Sequence, residues 1–303
     1  MEKISYFSYK GGSGRSSLVY NTIPLLAKKL EATSQHPLIV MDMDIDSAGL
    51  SFLFRNSMES YREQNRKDPL YIQNIFSGNI PDSRQNVYTK SNLWDHLLIR
   101  SMVPIGNMYD MDERAILFLP ANTTAGQNQD IETEDSYGIR TELLGTVINI
   151  LDGYNCCGII FDCPTGRQAT AQASLRASDK IVTVMRITRQ FRDGTYSHLK
   201  WFDPLTADKT FVIVPNAVPH DNIKFDGVPF NYNIVKDEII GEISRLVQQN
   251  DADFSLFEGD NFGVPEVIRF KFQEDILLKR SVRTPDEETA LSMYRLLVDA
   301  LTR

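Results

Sequence analysis

Residues 3–17 read Lys3-Ile4-Ser5-Tyr6-Phe7-Ser8-Tyr9-Lys10-Gly11-Gly12-Ser13-Gly14-Arg15-Ser16-Ser17. Lys3–Ser8 is a short apolar strand, and Ser16–Leu30 has the apolar spacing of a helix: Leu18, Val19, Ile23, Leu26, Ala27, Leu30. Between them lies a glycine-rich turn. A strand, a glycine turn and a helix in this order aim several backbone N–H groups at one point, and the helix N-terminus adds partial positive charge. Gly11, Gly12 and Gly14 permit positive φ and close approach of a phosphate to the backbone. Ser16 brings a hydroxyl to the first helical turn, where Mg²⁺ sits in such sites.

Outward from this loop the chain alternates strands and helices. Pro24 lies inside the first helix and, lacking a backbone donor, is expected to kink it. Pro37–Met41 is a second buried-type strand and runs into Asp42-Met43-Asp44-Ile45-Asp46. Further strands are expected at Arg114–Leu119, Gly158–Phe161, Lys180–Met185 and Thr210–Val214. Helices are expected at Tyr137–Leu151, around Ile234–Gln249 and in a closing segment to about Leu301, with Thr284-Pro285-Asp286-Glu287 as its capping sequence. Residues 123–136 read as a polar loop. Continuous apolar strands separated by helices predict an α/β fold with a mostly parallel, doubly wound sheet covered on both faces. No repeat or linker divides residues 1–303, so one domain is expected. Residues 56–112 are polar and punctuated by turns, and read as helices and loops at the sheet edge.

The loop is not the ordinary G-x-x-x-x-G-K-[ST] pattern, since Tyr9 stands at the first glycine and Arg15 at the lysine. With Lys10 just before the glycines, Lys10-Gly11-Gly12-Ser13-Gly14-Arg15-Ser16 resembles the deviant Walker A motif of the ParA/MinD family of dimerising P-loop ATPases. Three later features follow in the order that family implies. Leu38–Asp44 is a strand ending in Asp42 and Asp44, which alternation places on one face. Gly158-Ile159-Ile160-Phe161-Asp162-Cys163-Pro164-Thr165-Gly166 resembles the Walker B strand and its switch. Phe211-Val212-Ile213-Val214-Pro215-Asn216 ends in an amide that both donates and accepts.

The resemblance implies that Gly11, Gly12, Ser13, Gly14, Arg15, Ser16 and Ser17 hold the phosphates. It implies that Ser16 and Asp162 hold Mg²⁺, that Asp44 helps position the attacking water, and that Lys10 reaches the nucleotide of the partner subunit. Asn216 would read the base, and Val264-Pro265-Glu266 resembles the late loop that packs on adenine, with Pro265 in contact. No N-K-x-D sequence occurs, which favours ATP over GTP. Arginine keeps the charge of lysine but is planar and longer, so Arg15 leaves nucleotide binding better supported than turnover.

Composition sets limits. The net charge of −8 argues against a broad basic surface for coating nucleic acid. A local basic run remains: Arg176, Lys180, Arg186, Arg189, Arg192 and Lys200 against Asp179 and Asp193, a place where non-specific DNA would bind. Cys156, Cys157 and Cys163 form a poor disulfide framework and fit a reducing compartment. His36, His96, His198 and His220 are scattered and make no zinc motif. The start of the chain enters a strand at once, and no apolar run approaches a membrane span, so a cytoplasmic protein without integral membrane association is expected. The stripe Leu291, Tyr294, Leu297, Val298, Leu301 of the closing helix is expected to pack on the sheet rather than on a membrane.

These readings predict a slowly hydrolysing ATP switch that dimerises around ATP and positions or partitions a cargo through a protein partner. A degenerate nucleotide-binding scaffold, and a phosphotransferase or synthetase of the dethiobiotin-synthetase-like group, are the alternatives.

Overall fold

The computed structural model describes residues 1–76, 98–122, 136–206, 209–219, 223–225, 227–248, 266–267 and 288–303. The first half of the chain holds β1 (Glu2–Phe7), α1 (Arg15–Lys29), β2 (Leu38–Asp42), α2 (Gly49–Leu53), α3 (Arg55–Asn65), α4 (Ile72–Phe76), β3 (Val103–Pro104) and β4 (Ile116–Leu119). Then come α5 (Ser136–Gly153), β5 (Gly158–Asp162), α6 (Ala169–Ala177), β6 (Lys180–Arg186), α7 (Arg189–Thr206) and β7 (Thr210–Asn216). The remainder is β8 (Lys224–Phe225), β9 (Val228–Pro229), α8 (Tyr232–Gln248), β10 (Glu266–Val267) and α9 (Glu288–Leu301).

One eight-stranded sheet has the order β10-β7-β6-β1-β5-β2-β4-β3. It is parallel except at β3, which runs antiparallel to β4 at one edge. Period-two alternation divides the core between its faces. Leu38, Val40, Ile4 and Ile160 pack with α1 and α9, whereas Ile39, Met41, Phe7 and Phe161 pack with α5 and α6. Both faces are therefore covered, as continuous apolar strands require. The stripe of α9 (Tyr294, Leu297, Val298, Leu301) lies in the first of these clusters, and Lys29 pairs with Asp299 at 3.1 Å to hold α9 beside α1.

α1 continues through Pro24 without a break. The carbonyl that a proline deprives of its helical donor is that of Tyr20, and the Tyr109 hydroxyl donates to it at 3.3 Å. β4 starts at Ile116 rather than Arg114, because Asp112 caps a single 3-10 turn by accepting from the Arg114 N–H at 3.0 Å. The described part of residues 56–112 is α3, α4, β3 and two 3-10 turns at the β4 edge; residues 77–97 lie outside the described residues. The expected loop at 123–135 and the capping sequence before α9 also lie outside them. The three cysteines are free and buried. No helix among the described residues is long and apolar enough to cross a membrane.

Candidate functional site

Parallel register brings the acidic strand ends together. Tyr6 of β1 pairs with Asp162 of β5, and Asp162 pairs with Asp42 of β2. The carboxyl ends of three central strands thus meet where the chain leaves β1, the usual ligand crevice of a parallel sheet. The loop from Ser8 to Gly14 crosses that crevice, with Gly12 at φ 79° and Gly14 at φ 83°. Gly14 is the residue before α1, and a β-carbon there would collide with the Asn216 side chain. Glycine is required at this point by both conformation and space.

The loop has two halves. Lys10, Gly11 and Gly12 are exposed, while Ser13 and Arg15 are buried. Arg15 opens α1 and turns its guanidinium inward. Its Nε donates to Asp162 Oδ1 at 2.6 Å, its Nη2 to Asp44 Oδ2 at 2.9 Å and its Nη1 to Ser8 Oγ at 3.3 Å. The side chains of Arg15, Asp44 and Asp162 are 5%, 8% and 0% exposed, so water does little to screen these charges. Burial would draw the guanidinium's pKa down, but Asp162 and Asp44 more than offset it and hold the proton more firmly than usual. Asp162 is pushed up by burial, opposed by Arg15 and by the Ser16 hydroxyl.

Asp42 neighbours this cluster without entering it. It accepts from the Ser51 N–H at 2.8 Å, the Ser51 hydroxyl at 2.7 Å and the Asp44 N–H at 3.1 Å. The Ser51 Oγ accepts from the Ala121 N–H at 2.8 Å, which ties β2, α2 and the end of β4 together. Burial, and then the charge of Asp162, push Asp42 up to about 7.

The structure brings Arg15, Ser16, Asp44 and Asp162 together. Asp44 accepts from Arg15 through one oxygen and from the Ser47 N–H at 3.1 Å through the other. Asn216 donates to the Ser13 carbonyl at 2.8 Å and accepts from the Ala217 N–H at 2.9 Å, which clasps the loop. Pro265 lies outside the described residues. Lys10 projects from the loop's exposed half.

Ser16 and Asp162 are the residues to test for a divalent cation. Asp162 Oδ2 makes no hydrogen bond of ordinary geometry, and with the Ser16 hydroxyl it is what a cation would use. Oδ1 of the same carboxylate and Asp44 Oδ2 are already held by Arg15. A dication at the bare oxygen would stand against a guanidinium bonded to the same carboxylate, in a buried setting where like charges repel strongly. As arranged, these residues do not fit a protein-held divalent cation.

Sequence reasoning missed two supports of the loop. Arg186 at the end of β6 donates to the Gly12 carbonyl at 2.6 Å. Tyr9 packs edge-on to His198 with ring centroids 4.7 Å apart and fills the space beside Gly194, where a β-carbon would collide with its ring. Burial lowers the pKa of His198, which suits a neutral imidazole under an aromatic ring. The signal for Tyr9 was its presence where a phosphate loop ordinarily has glycine. In the basic run around α7, Lys180 pairs with Glu2 at 3.3 Å, Arg189 with Asp193 at 3.3 Å and Arg192 with Glu238.

No protein-family model and no curated protein matches the sequence. Solved structures do match. A plasmid partition protein from Borrelia burgdorferi B31 bound to AMPPNP is 14% identical, with TM-score 0.62 over 99% of this chain and 97% of that one. McdA of Cyanothece without nucleotide is 12% identical, with TM-score 0.64 over 99% of both chains. The septum site-determining protein MinD from Pyrococcus horikoshii, complexed with Mg-ADP, is 14% identical, with TM-score 0.57 over 100% of this chain and 96% of that one. At these identities the likeness speaks for architecture, and the architecture of this chain is the P-loop fold of the ParA/MinD-type partition and cell-division proteins.

Proposed function

We propose that this chain is an ATP-binding switch in which two copies close face to face around nucleotide. The observation that carries the reading is the division of the loop: a buried half clamped to the ends of β2, β5 and β7, and an exposed half carrying Lys10. The amides of Gly11–Gly14 and the N-terminus of α1 receive the phosphates, with Arg15, Ser16 and Ser17 at the first helical turn. Lys10, free of the interior, reaches across to the nucleotide of the second copy. The likeness in fold to proteins solved with AMPPNP and Mg-ADP supports a nucleotide as the ligand.

Turnover is slow in this reading. Phosphoryl transfer to water needs a group that orients the water, and Asp44 is held by Arg15 and the Ser47 N–H. The same observation favours a second reading, a nucleotide-binding scaffold with little hydrolysis. In either case the nucleotide state controls a protein partner and, through it, the positioning of a cargo.

Light scattering with AMPPNP on the wild-type chain and on Lys10→Ala tests the switch. The wild type is expected to double in mass with nucleotide. Lys10→Ala is expected to stay monomeric while keeping its nucleotide affinity and melting temperature. A wild type that binds nucleotide as a monomer, or a Lys10→Ala variant that dimerises equally well, sinks the face-to-face arrangement.

A further inference from the structure

A metal ion in a phosphate-binding site bridges protein carboxylates to phosphate oxygens and neutralises both. Arg15 stands where such a bridge would stand. It holds Asp162 through Nε, Asp44 through Nη2 and Ser8 through Nη1. A guanidinium has five N–H donors, so two remain uncommitted among the described contacts. They belong to a side chain that opens α1, the helix whose N-terminus faces the glycine loop. The planar fork of arginine suits contacts with carboxylates and phosphate oxygens in fixed geometry, whereas lysine's ammonium is a single point of charge.

We propose that Arg15 is the resident cation of this site, and that the chain binds the polyphosphate of a nucleoside di- or triphosphate without a divalent metal ion. This rests on the nucleotide reading above and goes beyond it, because it names the charge that takes the metal's place. The guanidinium keeps Asp162 and Asp44 while its remaining N–H groups meet the phosphate. Burial strengthens the arrangement. With the side chains of Arg15 and Asp162 only 5% and 0% exposed, a dication would have to share a carboxylate that the guanidinium already holds. Replacing Arg15 with lysine leaves an ammonium that cannot fork onto both carboxylates. That variant frees a carboxylate for a metal ion and regains the ordinary requirement for one.

Isothermal titration calorimetry of the full chain with ADP, in EDTA and in excess Mg²⁺, tests the proposal. For the wild type the two dissociation constants are expected to differ by less than about fivefold; for Arg15→Lys, EDTA is expected to weaken binding by about tenfold or more. A wild type that weakens more than about fivefold in EDTA overturns the resident cation and leaves the nucleotide reading standing. An Arg15→Lys variant as indifferent to EDTA as the wild type overturns it too, since the indifference would not come from Arg15. Absence of binding in both buffers overturns the nucleotide reading and this inference together. If Arg15→Lys does not fold, the two wild-type titrations decide the matter alone.

Discussion

The two halves of the glycine loop solve opposite problems. Ser13 and Arg15 are buried and held by Asn216 from β7, Asp162 from β5 and Asp44 beyond β2. Lys10 to Gly12 is exposed, and Arg186 on the Gly12 carbonyl is its described hydrogen-bonded support. The difference teaches where rigidity is spent. Under the proposed reading the inner half is held in advance of a phosphate, so little ordering would remain when the ligand arrives. Lys10, which that reading sends to a second copy, is left in solvent.

The sharpest way to break this comparison is to remove the inner clamp. Arg15→Ala leaves Asp162 and Asp44 buried without their counter-charge, and a loss of about 3–5 kcal/mol in urea denaturation at neutral pH is expected. Part of that loss should return at acid pH, when the carboxylates take up protons. An Arg15→Ala variant as stable as the wild type would mean the inner half is not held by charge.

A second test reads the pH dependence of the neighbouring carboxylate. Burial and Asp162 raise Asp42 to about 7. A carboxyl raised above its unfolded value stabilises the fold below the unfolded pKa, and that contribution disappears as pH rises through the folded one. The wild type is therefore expected to lose stability between roughly pH 4 and 7, on the order of a few kcal/mol from this group. Asp42→Asn should flatten that part of the profile, whatever its absolute stability. Parallel profiles for the two proteins would show that Asp42 is already ionised well below neutrality.

The smallest expected effect sharpens the outer boundary. Gly194→Ala places a methyl group against the Tyr9 ring and should cost about 1–3 kcal/mol, with recovery when Tyr9 is shortened to Ala in the same chain. Thermal denaturation of the two single variants and the double variant measures the coupling. Additive losses would mean that Tyr9 does not seat the loop against α7.

Much of the fold was legible because burial on both faces writes itself as unbroken apolar runs, as in Leu38–Met41 and Gly158–Phe161. Strand ends are less legible. Whether β4 begins at Arg114 or Ile116 depends on one Asp112 cap, and the donor that meets the Tyr20 carbonyl left over by Pro24 comes from Tyr109, far away in sequence. The candidate site was legible as a set of residues, since Arg15, Asp44 and Asp162 lie at strand ends and a helix start that parallel topology must bring together. Their partners were not. A motif gives residue type and spacing, but the direction of a long side chain follows from competition among charges. Arg15 turns toward two buried carboxylates because leaving them unpaired costs more than any contact with solvent offsets. Asn216 shows the same limit: its place beside the loop was readable, but the carbonyl it would hold was not.

The seat of Tyr9 against Gly194 has an evolutionary consequence. A tyrosine at the head of the loop is tolerated only while the facing helix position has no side chain, and that glycine, in the middle of a helix, is disfavoured unless something fills the space it leaves. Neither position is free to drift alone. Among sequences descended from a common ancestor, the two should change in the same lineages: a small residue at the loop should release the helix position to become alanine. The pairing would then be visible as an inherited correlation between sites that share no stretch of sequence.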